Sequence, residues 1–90
     1  MTPNQAAEIA RTMTGSVLSD EEIMIGVRKV NTIVKEECCR QVDKLLQKHN
    51  LPFEKGYFLA KEDFNKIAQR YKMDAAVMFW IYMEWLGQNK

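Results

Sequence analysis

The sequence predicts an all-α fold, a compact bundle of about four helices in a single domain spanning residues 1–90, and three observations carry that prediction. Two stretches open on complete helix-start signals, Thr2-Pro3-Asn4-Gln5 and Ser19-Asp20-Glu21-Glu22. Apolar residues recur at three- and four-residue steps, the spacing that lines one face of a helix. The chain also closes on a helix-length apolar segment, Ala75 to Leu86, whose single charge is Glu84. The expected order is a short N-terminal helix, one long helix, an aromatic loop and a C-terminal helix pair.

In the first element Thr2 reads as an N-cap, Pro3 as the first helical residue and Gln5 as the partner that completes a capping box. Ala6, Ile9, Ala10 and Met13 then share a face, and Gly15 supplies a C-terminal stop. The second start is stronger. Ser19 and Glu22 form a capping box, Leu18 and Ile23 occupy the staple positions, and the acidic first turn complements the helix dipole.

From there Ile23, Val27, Val30, Val34, Cys38, Val42, Leu45 and His49 form one stripe. It predicts an unbroken helix of about 45 Å. Lys48 and His49 suit its end, Asn50 its left-handed cap, and Pro52 prevents continuation. Gly26 inside it costs about 1 kcal/mol relative to Ala, which predicts a kink or a close helix crossing there.

Leu51 to Ala60 reads as a loop in which Phe53, Tyr57 and Phe58 fold back over the helix ends, with a hairpin turning at Lys55-Gly56 as its alternative. A further helix carries Phe64, Ile67, Ala68 and Tyr71 on one face. Lys72 and Met73 make a tight turn, and Asp74 caps the last helix.

Composition narrows function by exclusion. The formal net charge is +1, with seven basic and seven acidic groups in residues 1–50 and six and five in residues 51–90. Neither half forms the basic footprint expected for nucleic acid or an anionic membrane. The longest apolar run, Ala75 to Met83, is far below the roughly 18–20 residues that span a bilayer. The N-terminus lacks a basic leader followed by an apolar run. The two cysteines are adjacent, which is no disulfide framework. A soluble, cytoplasmic protein without membrane contact is expected.

No catalytic constellation appears. His49 is the only histidine, eleven residues from Cys38 on the expected long helix and therefore about 16 Å away. Cys38 reads as core and Cys39 as a flanking residue. Two thiols and one imidazole fall short of a four-ligand zinc site. The carboxylates come as neighbours, Glu21/Glu22, Glu36/Glu37 and Glu62/Asp63, which diverge on a helix and form no shared-proton dyad. Glu36 pairs with Arg40 one turn on. The glycines are too scattered for a phosphate loop. Neither an enzyme nor a bound metal or cofactor is expected.

Phe64 to Ile81 has the steric pattern of a helix-turn-helix, with Lys72 where a glycine is usual. Its second helix would offer Asp74, Ala75, Ala76, Phe79 and Trp80 to a groove, the wrong chemistry for base edges and phosphates. Lys61, Lys66, Arg70 and Lys72 form a modest basic cluster, a candidate patch for an anion or a small polar ligand such as a nucleotide held between protomers. Nucleic acid is the weaker partner.

The last helix poses the sharper question. Ala75, Met78, Phe79, Tyr82, Met83 and Leu86 cover one side, enough to pack it. The other side carries Val77, Trp80, Ile81 and Glu84, with Trp85 on the boundary. These five are the candidate interface, covered by the chain's own long helix, first helix and aromatic loop, by a second copy of the chain, or by a different protein. The expected function is non-enzymatic binding through protein–protein contacts, with a homo-oligomer and a further protein partner. Adaptors, subunit chaperones and phage-type inhibitors of bacterial enzymes or defence systems offer analogies for such a motif-free helical protein.

Overall fold

The computed structural model describes residues 2–48 and 52–88, omitting the side chains of Glu54 and Gln88. Among the described residues six helices follow one another: α1 (Pro3–Thr14), α2 (Asp20–Lys29), α3 (Thr32–Gln47), α4 (Phe53–Leu59), α5 (Lys61–Arg70) and α6 (Ala75–Gln88). No strand occurs among the described residues. The all-α class holds, with two helices more than the sequence suggested.

The local signals act where they were read. The Thr2 hydroxyl accepts from the Gln5 N–H at 3.2 Å while the Gln5 side chain accepts from the Thr2 N–H at 3.0 Å. Ser19 and Glu22 make the same reciprocal pair at the start of α2. Gly15 closes α1 at φ 68°, a left-handed position that glycine adopts without a Cβ penalty. Asp74 caps α6 by accepting from the Ala76 N–H at 2.8 Å.

The expected long helix is two helices. Val30 leaves α2 in an extended conformation, and Asn31 caps α3, its side chain accepting from the Val34 N–H at 3.0 Å. The local cap replaces helix hydrogen bonds lost at the break. Turning there lets α2 and α3 approach α6 separately. His49 and Asn50, read as the helix end and its cap, lie outside the described residues. Gly26 marks a close crossing: a Cβ placed there would lie 2.8 Å from Val77 Cγ2 on α6.

The expected aromatic loop is largely helix α4, and no hairpin forms at Lys55-Gly56. Phe53 and Tyr57, one turn apart, face inward together. Phe53 packs on Phe79 at 4.7 Å between ring centroids, and Tyr57 meets Phe64 at 4.9 Å and Phe79 at 5.1 Å, edge to face. Such burial outweighs the helix penalty of Gly56. Phe58 departs from the expected plug and faces solvent.

The α5–α6 turn is a Schellman motif. The Met73 N–H reaches the Ala68 carbonyl, the Lys72 N–H reaches Gln69, and Lys72 takes the left-handed position at φ 57°. Around this frame α1, α2, α3 and α5 surround α6. Arg11 ties α1 to α2 through Asp20 at 2.9 Å, and the Ser16 hydroxyl donates to Asp74 at 2.9 Å.

Candidate functional site

The Trp80 side of α6 is closed by the chain itself. Val77 meets Gly26 of α2, and Trp80, 8% exposed, donates its indole N–H to the Pro3 carbonyl of α1 at 3.2 Å. Ile81 is buried as well. Three of the five candidate interface residues are therefore largely buried within the chain, with Trp80 and Ile81 at the edges of open clefts. Glu84 is exposed, and Trp85, half-buried, stacks on Tyr82 with centroids 5.7 Å apart. Beside them lie two open clefts, one of about 320 Å³ against Pro3 and Met83, the other of about 520 Å³ against Lys35 and Cys39.

The four basic residues do not converge. All are exposed, but only Lys66 and Arg70 are neighbours, one turn apart on α5. Lys61 lies about 140° around the helix from Lys66. Lys72 instead lines a cleft of about 470 Å³ whose other residues include Lys29, Asn31 and Asp74. The helix-turn-helix spacing yields two helices packed across a tight turn. Ala76 to Tyr82, the start of the would-be reading helix, are buried without interruption and unable to enter a groove.

The cysteines behave as core. Cys38 is buried as expected, and its thiol donates to the Lys35 carbonyl at 3.2 Å. Cys39, expected at the flank, is 1% exposed, because α3 packs on both α5 and α6 and so buries a broad arc. A hydrogen bond from Cys39 holds Cys38 below the ordinary thiol range. The same bond, then burial, then nearby negative charge push Cys39 well above it. A thiol held protonated is a poor nucleophile and a poor metal ligand. Among the described residues no group of three or more His, Cys, Asp or Glu side chains is placed to hold a metal ion. No described helix is long and apolar enough to cross a membrane.

Two polar details mark the aromatic core. The Tyr82 hydroxyl donates to Asp43 at 3.1 Å, which Gln47 also contacts at 2.9 Å. The Tyr57 hydroxyl is fully buried and has no hydrogen-bond partner among the described residues. Burial raises the pKa of both phenols, and the bond to Asp43 adds to the shift of Tyr82.

The residues that sequence reasoning missed lie on the outside of α4. Phe58 and Leu59 are 62% and 65% exposed, adjacent in sequence and both large. With Lys55 they occupy positions i, i+3 and i+4, one strip of the helix. That spacing carries meaning only on a helix, and this segment reads as a loop. No family model, no curated protein and no solved structure matches the chain.

Proposed function

We propose that this chain is a non-enzymatic binding protein that acts through helix-surface contacts with protein, and that its contact surface is the outer face of α4. The observation that carries the proposal is the uncovered pair Phe58 and Leu59. Single exposed apolar residues are ordinary, but two large neighbours on one short helix are the kind of anchor found at protein contacts. The apolar supply of α6, by contrast, is spent on the core. Scattered titratable groups and cysteines buried in the core support a binding role over catalysis.

Adaptor and inhibitor roles both fit such a surface, and the partner's identity separates them. A photo-crosslinking residue in place of Phe58, introduced in the native host, tests the proposal against the same residue in place of exposed Lys44. Protein adducts, to another chain or to a second copy, are expected at position 58 alone. Equal labelling at both positions, or none at either, refutes the contact surface.

A further inference from the structure

The α2–α3 break and the α5–α6 turn, far apart in sequence, border one open cleft of about 470 Å³. Lys29 and Val30 line it from the end of α2, and Tyr71, Lys72 and Met73 line it from the turn. Val34 of α3 and Val77 of α6 add to a largely apolar wall. No α4 residue borders the cleft, so it is independent of the contact surface on that helix.

The charges of the cleft are one-sided. Lys29 and Lys72 are both exposed and make no ion pair among the described residues. Among those residues Asp74 is the only carboxylate lining the cleft. Its Oδ1 accepts from the Ser16 hydroxyl at 2.9 Å and from the Ala76 N–H at 2.8 Å, which commits it to the start of α6. Arg28 and Arg70 add positive charge in the last turns of α2 and α5.

Basic residues suit the C-terminal turn of any helix, which accounts for Arg28, Lys29 and Arg70. It does not account for Lys72, which lies beyond the end of α5 at φ 57°. Glycine takes that position without steric cost, so a lysine there lowers stability. Among the described residues it is the one non-glycine residue at positive φ, and backbone strain of this kind gathers at functional positions.

We infer that the cleft binds a phosphate monoester carried on a small aromatic group. The phosphate lies between Lys29 and Lys72, and the ring lies against Val30, Val34, Tyr71 and Met73. Two lysines match the charge of about −2 on such a phosphate, and a mostly apolar wall with a few placed polar groups is the usual make-up of a small-ligand site.

Nuclear magnetic resonance of the isotope-labelled full chain, titrated with phenyl phosphate, tests this. Saturable amide shifts are expected at residues 26–34 and 71–77, with half-saturation at about 1 mM. Benzoate, phenol and inorganic phosphate each lack one part of the probe and are expected to bind at least about tenfold more weakly. Lys29→Gln and Lys72→Gln are each expected to weaken phenyl phosphate about fivefold, and Lys66→Gln to leave it unchanged. Lys72→Gly separates the site from the fold, being more stable than wild type yet as weak a binder as Lys72→Gln. Absence of saturation by about 10 mM, or shifts centred on other residues, overturns the site. Lysine variants at 29 and 72 that bind like wild type, or a Lys66→Gln loss equal to theirs, overturn it as well. A partial probe as tight as phenyl phosphate overturns the ligand class.

Discussion

Removing one oxygen from the core should make this protein more stable. Among the described residues the buried Tyr57 hydroxyl has no partner, while its ring is held edge to face by Phe64 and Phe79 and, more distantly, by Phe53 at 6.3 Å. A buried polar group without a partner costs about 1–3 kcal/mol. Tyr57→Phe keeps the ring contacts and deletes the group, leaving a small void that offsets part of the gain. The net expectation is about 1 kcal/mol of added stability, or a midpoint about 4–8 °C higher for a domain of this size. Tyr82→Phe is the matched control of opposite sign. Its hydroxyl donates to Asp43, so its removal should cost about 1 kcal/mol. Urea unfolding followed by circular dichroism reads both, with the slope unchanged if only the native state is affected. A Tyr57→Phe variant less stable than wild type would refute the reasoning, since it would mean the hydroxyl has a partner.

Three further outcomes follow from local geometry. Lys72→Gly relieves a non-glycine residue at φ 57° and should add about 0.5–1 kcal/mol in the same urea assay. Asn31→Ala should cost about 1 kcal/mol by removing the α3 cap, whereas a continuous α2–α3 helix would gain from it. Stability should fall as pH rises above about 10, because the unfolded tyrosines lose protons there while folded Tyr57 and Tyr82, with raised pKa values, keep theirs. Denaturation midpoints across an alkaline series check the sign.

What was legible in the sequence is the chemistry that acts within one turn. Thr2, Ser19, Gly15 and Asp74 mark helix ends through bonds to their own backbone, and the structure uses each that way. The α2–α3 break was hidden because Val27, Val30 and Val34 keep helical spacing across it. The apolar stripe outweighed the quieter cap signal of Asn31-Thr32. Helix α4 was hidden for the converse reason: Pro52 and Gly56 read as loop residues, and the packing that overrides them, Phe53 and Tyr57 on Phe79, joins segments distant in sequence.

The candidate interface shows the same limit. A helix apolar on all sides must be covered, but its own sequence is silent on what covers it. The break at Asn31 lets α2 turn onto Val77, and the Pro3 carbonyl meets Trp80 across 77 residues. Both contacts are tertiary. With α6 enclosed, Ile9, Ile25 and Ile33 stand exposed singly on α1, α2 and α3, while Phe58 and Leu59 form an exposed pair of large apolar neighbours that only the helical form of α4 brings into one strip.

Nuclear magnetic resonance of the isotope-labelled full chain, diluted from about 1 mM to about 20 µM, tests most directly where the contact surface lies. Amide shifts that change on dilution are expected to cluster at residues 55–63 and to leave residues 77–85 unmoved. Shifts that move at residues 77–85 would contradict the assignment of the contact surface to α4, and shifts at no residue would contradict self-association through it.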